Sequence, residues 1–153
     1  KIWWDVRCHP FFDTVEVRIC DMTTRVDDTL GVAALIQALM GKLYLLYRRN
    51  QAWRDYSHML IEENKWRAVR YGLEGNFIDF GKREQVPMRV LIEELLDFVS
   101  EAADIFRSQD DLDRIRALCQ EGTSADRQLR IFKETGSHKA VVDDLADQTL
   151  LGC

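Results

Sequence analysis

Glu16 and Arg18 stand two residues apart in Thr14-Val15-Glu16-Val17-Arg18-Ile19-Cys20-Asp21. Apolar residues alternate from Val15 to Ile19, as in a strand with one buried face. The carboxylate and the guanidinium therefore project the same way from a rigid backbone. Such a pair can hold a divalent cation and an anionic substrate together. It can equally be a solvated cross-strand ion pair worth at most about 1 kcal/mol. Asp5 and Arg7 share a face of the preceding alternating stretch, from Ile2 to Cys8, and so double the charged set. Magnesium needs only one or two protein carboxylates beside substrate phosphates, and arginines supply the cations that phosphoryl transfer requires.

Two further sets offer chemistry. At helical spacing Glu63, Arg67 and Arg70 share one face, with Asn64 beside them. That face reads either as a self-paired, solvated surface or as an anion site in which Arg67 and Arg70 reach a phosphate or carboxylate. In Gly122-Thr123-Ser124-Ala125-Asp126-Arg127-Gln128, Ser124 reads as a helix N-cap and Asp126 as a partner of the helix dipole. An anion at that helix start, beside Arg127, is the weaker reading. Trp66 is expected in a core or interface. His9, His58 and His138 are too scattered for a metal site, and Ser57-His58 lacks a third group to orient it. Gly72-Leu73-Glu74-Gly75 is too short for a nucleotide fingerprint.

The elements that must position these residues follow from the change in period. Strands over residues 2–8 and 14–20, joined by residues 9–13, make a hairpin. The long helix that follows is expected to pack on its apolar face or on other helices. The period then shifts from 2 to 3.6, and a helix over residues 28–48 presents Leu30, Ala33, Leu35, Ile36, Leu39, Met40, Leu43 and Leu46 as an apolar stripe, capped by Asp27 or Asp28. Further helices are expected over 57–71, 87–108, 110–120, 124–135 and 138–150, with Pro87 in a first turn. Residues 75–81 form a loop or short strand. The fold class is α+β: a strand pair within residues 1–21, then a helical region over 27–153. Two strands make a poor sheet alone, so the pair is expected to belong to a larger one.

With 153 residues, 46% hydrophobic and 31% charged, the chain has the size and composition of one globular domain. A net charge of −5 argues against a general nucleic-acid surface. No uninterrupted apolar run approaches the ~20 residues of a bilayer span, so neither nucleic acid nor membrane is expected as a partner. The cysteines at 8, 20, 119 and 153 lack metal-ligand spacing and read as reduced thiols of a cytoplasmic protein. A reversible Cys8–Cys20 disulfide across paired strands stays open. The chain opens in mid-strand without a methionine, which is expected of a C-terminal piece of something longer.

Taken in order, Lys1-Ile2-Trp3-Trp4-Asp5-Val6-Arg7, the Thr14 to Asp21 stretch, Glu63 to Gly72 and Gly122 to Gln128 resemble the C-terminal portion of the carboxylate–amine ligase family, the type-2 glutamate–cysteine ligases. The resemblance implies a glutamine-synthetase-like fold with the site on the concave face of a curved antiparallel sheet. It implies ATP and magnesium (or manganese) as cofactors, and phosphorylation of the glutamate γ-carboxylate before attack by an amino-acid amine. Glu16 would be a metal ligand, and Arg18 and Arg7 would be catalytic contacts. Arg18, Arg67, Arg70 and Asn64 would bind substrate or phosphate. It also implies a possible homodimer. Cys8 departs from the family's usual proline, and Asp13 and Ser124 from its frequent glycines. Members are far longer than this chain, which is expected to be inactive alone. The rival reading is a non-catalytic helical interaction module.

Overall fold

The computed structural model describes residues 4–151. Ile2 and Trp3 of the expected first strand, and Cys153, lie outside the described residues. The fold is α+β and mostly helical, with two small antiparallel sheets among the described residues. In chain order it runs β1 (Val6–Cys8), β2 (Val15–Val17), α1 (Val26–Arg48), α2 (His58–Tyr71), β3 (Asn76–Asp79), β4 (Glu84–Pro87), α3 (Met88–Phe106), α4 (Gln109–Glu121), α5 (Ser124–Thr135) and α6 (His138–Leu150).

The core lies where α1 crosses α3 and α4. Ala34 and Ala38 of α1 meet Leu96, Val99, Ala102 and Ala103 of α3 and Leu112 and Ile115 of α4. The buried line along α1 is Asp28, Gly31, Ala34 and Ala38, a stripe of small residues at helical spacing. This corrects the expected leucine stripe in part: Leu35 and Leu39 are half-buried against the core, while Leu30, Ala33, Met40 and Leu43 are exposed. Small side chains win because the helix axes approach closely. A Cβ on Gly41 would stand 2.5 Å from the Phe106 ring, and one on Gly31 would stand 3.1 Å from the Asp111 carbonyl oxygen.

Helix α1 holds no uninterrupted apolar run long enough for a bilayer. By length and composition it is apolar enough to cross one, with hydropathy 1.6 over its most apolar window. Val26, Leu30, Met40, Tyr44 and Tyr47 stay exposed on it. Neither Asp27 nor Asp28 caps it. The N-cap is Arg25, without a side-chain cap, and Asp28 reaches instead to Arg114 of α4, Oδ1 accepting from Nε at 2.7 Å.

Residues 75–81 prove to be half of a second hairpin. Asp79 Oδ1 accepts from the amides of Gly81 and Lys82 at 2.8 and 2.9 Å, an Asx turn that reverses the chain between β3 and β4. Pro87 ends β4 and serves as the N-cap of α3 instead of entering its first turn. Of the two packings open to α1, on the apolar face of the first hairpin or on other helices, it takes the second. Val6 is 52% and Val15 43% exposed, while Asp5, Arg7 and Glu16 on its other face are partly buried. The register pairs Cys8 with Val15, so Cys20 lies toward the far end of the hairpin, and Cys8 and Cys20 are free thiols.

Candidate functional site

The register of the first hairpin sets the site. Arg7 stands directly opposite Glu16, and Arg18 follows two residues on, just past the end of β2. Residues i and i+2 of a strand face the same way, so all three side chains meet on one face. Arg7 Nε donates to Glu16 Oε2, and Arg18 Nη1 donates to Oε1 at 2.7 Å. The guanidinium of Arg7, then that of Arg18, holds the Glu16 carboxyl below its ordinary pKa against the opposing effect of burial. Two cations around one anion leave one net positive charge.

Helix α2 supports this face through a second pair. Lys65 Nζ donates to Asp5 Oδ2 at 2.5 Å, and the Arg18 amide donates to the Asp5 carbonyl at 2.7 Å. The bond to Asp5 raises the Lys65 pKa. Asp5 thus ties β1, β2 and α2 together. Lys65 stood in the sequence beside Asn64, but no periodicity could reveal a partner 60 positions away.

The other α2 candidates are occupied elsewhere. Asn64 forms a reciprocal pair with Ile78: Nδ2 donates to the carbonyl at 2.9 Å, and Oδ1 accepts from the amide at 2.8 Å. Arg67 donates from Nε to Glu63 at 2.8 Å and from Nη1 to the Asn76 carbonyl at 3.0 Å. These bonds dock β3 on α2. Arg70 is exposed, with its guanidinium 5.5 Å from the Tyr71 ring centre. Trp66 is 54% exposed and meets the Tyr71 ring edge-on. The structure therefore gathers Arg7, Glu16 and Arg18 and leaves Asn64, Arg67 and Arg70 with other partners.

At the start of α5 the cap is Thr123 rather than Ser124. Thr123 Oγ1 accepts from the Asp126 amide at 3.2 Å, and Asp126 Oδ2 accepts from the Thr123 amide at 2.8 Å, closing a capping box. Ser124 Oγ instead lies 2.6 Å from Thr24 Oγ1, and Arg127 grips Asp144 of α6 through Nε at 2.8 Å and Nη2 at 2.5 Å.

A magnesium ion asks for near-octahedral oxygen donors. Among the described residues no group of three His, Cys, Asp or Glu side chains could hold a metal. Glu16 offers one carboxylate, and both its oxygens already accept from guanidiniums. These residues by themselves do not fit a magnesium site.

Residues 1–144 match the model of glutamate-cysteine ligase family 2. Proteins named "Putative glutamate--cysteine ligase 2" are similar along almost the whole chain. That of Sorangium cellulosum (strain So ce56) is 69% identical over 152 residues, covering 99% of this chain and 40% of the relative. Those of Solibacter usitatus (strain Ellin6076) and Herpetosiphon aurantiacus are 52% and 51% identical with the same coverage. The chain thus spans about two fifths of the length of these relatives. On that match the chain belongs to glutamate-cysteine ligase family 2.

Proposed function

We propose that this chain supplies a cationic wall to an ATP- and magnesium-dependent carboxylate–amine ligase, which activates the γ-carboxylate of glutamate as an acyl phosphate for attack by an amino-acid amine such as cysteine. The observation that carries the reading is the convergence of Arg7 and Arg18 on Glu16. Negative charge on a carboxylate or on a phosphoryl group in transit is what two preorganised guanidiniums stabilise. Glu16 fixes their planes and lowers the net charge to one, so an anion is held without being trapped. ATP and magnesium are part of the proposal and rest on the family resemblance. The chain's own contribution is to bind and orient the anion, with Asp5 and Lys65 holding the hairpin in place.

The test uses the full-length protein with glutamate, ATP, magnesium and a panel of amino-acid amines, following ADP release. Arg18→Ala and Arg7→Ala are each expected to lower kcat/KM about 10²–10³-fold, the effect of removing one preorganised donor. Glu16→Gln, which keeps the shape but places an amide against a guanidinium, is expected to lower it comparably. No ADP release with any pair, or near-normal turnover in all three variants, refutes the reading.

A further inference from the structure

The side of α1 turned away from the core is apolar along most of its length. Leu30, Ala33, Gln37, Met40, Tyr44 and Tyr47 are all exposed and follow one another at alternating spacings of three and four residues. That spacing averages 3.5 residues, so they form one seam along the helix. No charged residue stands between Asp28 and Lys42. A solvated helix face reads differently: α3, in the same bundle, turns Glu93, Glu94, Asp97, Glu101 and Asp104 to water. Between α1 and α3 lies a groove of about 420 Å³, lined by Leu39 and Leu43, by Leu91, Leu95 and Phe98, and by Trp53 of the connection to α2, with Glu94 as its charged group. Leu43 is itself exposed, and it neighbours Met40 and Tyr47 of the seam three and four positions away. Seam and groove therefore make one surface.

Three observations bear on what covers it. The relatives run on beyond this match for about three fifths of their length, so the full-length protein holds more polypeptide outside these residues than within them. Contacts between permanently joined parts are apolar, like a core cut in half, and the seam has that composition. The first hairpin is bare in the same way: Val6 is 52% and Val15 43% exposed on its apolar face, and two strands alone are marginal in water. Only residues 18–25 separate β2 from α1, so one body of polypeptide can cover both surfaces. A second copy of this chain would bring only another bare hairpin.

We propose that the outer face of α1, with the groove beside it, is the docking surface for the remaining three fifths of the full-length polypeptide. That part lays an apolar face of its own along the seam and sets a bulky apolar side chain in the groove. Covering the seam buries Gln37, whose amide then needs a polar partner on the docked face. A single polar group among apolar ones fixes the register of such a contact. Tyr44 and Tyr47 lie at the end of the seam, where a ring can be covered while its hydroxyl stays wet. The inference rests on family membership and on the exposure of α1, and it holds whatever the hairpin arginines bind.

The experiment labels the full-length protein carrying Ala33→Cys with iodoacetamide and reads that peptide by mass spectrometry, which separates it from the native cysteines. Labelling is expected to be at least about a hundredfold slower in the native protein than in urea, and the protection is expected to survive dilution. Met40→Lys, which an exposed face tolerates, is expected to lower the urea midpoint of the full-length protein by placing a charge under the docked face. Native labelling as fast as in urea overturns the proposal, and so does an unchanged midpoint for Met40→Lys. Protection that disappears on dilution, together with a dimer in sedimentation, overturns it by making a second copy the cover. Protection gained only when phosphatidylcholine vesicles are added overturns it by making the cover a membrane. ADP release is not the readout, so failure here leaves the ligase reading standing, and the reverse holds as well.

Discussion

Replacing Asp28 tests what joins α1 to α4. Its side chain is only 9% exposed and accepts from Arg114 Nε at 2.7 Å; Arg114 is 19% exposed and also donates to Glu121 at 3.0 Å. Burial works to lower the Arg114 pKa, but the bonds to Asp28 and Glu121 outweigh it and leave the value raised. Removing one partner of a fully buried pair costs about 3–5 kcal/mol. Two features reduce that figure here: Arg114 keeps Glu121, and part of its side chain reaches water. A hydrogen bond to a charged group contributes about 1.5–3 kcal/mol. Asp28→Asn keeps an acceptor oxygen in place, so the expected loss is about 1–2 kcal/mol. Asp28→Ala removes the acceptor and leaves a hole, for about 2–4 kcal/mol. The double variant that combines Asp28→Leu with Arg114→Met is expected to cost less than Asp28→Ala alone, because neither charge then remains unpaired. Equilibrium urea denaturation of the full-length protein measures all three. Losses within about 0.5 kcal/mol, the usual range of a surface change, would show that the pair does not join the helices.

Three further outcomes follow from particular contacts. Asn64→Ala leaves the amide and carbonyl of Ile78 without their partners, at about 1–3 kcal/mol, and amide exchange at Ile78 is expected to accelerate; a fall in turnover with unchanged exchange would instead make Asn64 a substrate contact. Leu96→Ala empties a fully buried position in the α3 core and is expected to cost about 3–5 kcal/mol in urea denaturation. The Glu101 carboxyl, bonded first by Arg49 and then by Lys42, is lowered from 4.5 to about 2. A depressed folded-state pKa stabilises above the unfolded value, so this contribution is present above pH 4.5 and is lost as pH falls toward 2. Glu101→Gln is expected to flatten that part of the stability profile, and an unchanged slope would remove Arg49 and Lys42 as the cause.

Much of this was legible in the order of residues, and what was not has physical causes. Period 2 around Glu16 placed it with Arg18 and Arg7 on one face, because a strand's geometry leaves no alternative. Helix positions from α1 to α6 followed from period 3.6 and from Gly122 and Gly136 as stops. The inner face of α1 followed only in part, with Leu35 and Leu39 against the core, because hydrophobic periodicity cannot weigh close approach: Gly31, Ala34, Ala38 and Gly41 face the neighbouring helices, and larger Leu30 and Met40 are displaced outward. The second hairpin escaped notice because its signal is one Asx turn at Asp79. The capping residue at α5 was misplaced by one position, within the normal blur of helix ends. Lys65–Asp5 and Asp28–Arg114 join residues 60 and 86 positions apart, and no local pattern encodes such a separation.

The two halves of the molecule rest on different foundations, and this decides what the site can depend on. Helices α1, α3 and α4 share a continuous apolar core in which Leu96, Val99, Leu112 and Ala38 are essentially sealed from water. Among the described residues the first hairpin has no such support. Its strands are three residues each, its apolar face is exposed, and α2 beneath its charged face has no buried residue. A two-stranded hairpin is at best marginal in water, so the bonds gathered on Asp5 carry much of the weight of holding Arg7, Glu16 and Arg18 together. Lys65→Met separates the two foundations. It should leave the urea midpoint of the helical core nearly unchanged while accelerating amide exchange at Arg18, whose N–H is bonded to the Asp5 carbonyl. A variant that lowers the core midpoint without loosening Arg18 would show that α2 supports the helices and that the hairpin holds its arginines by itself.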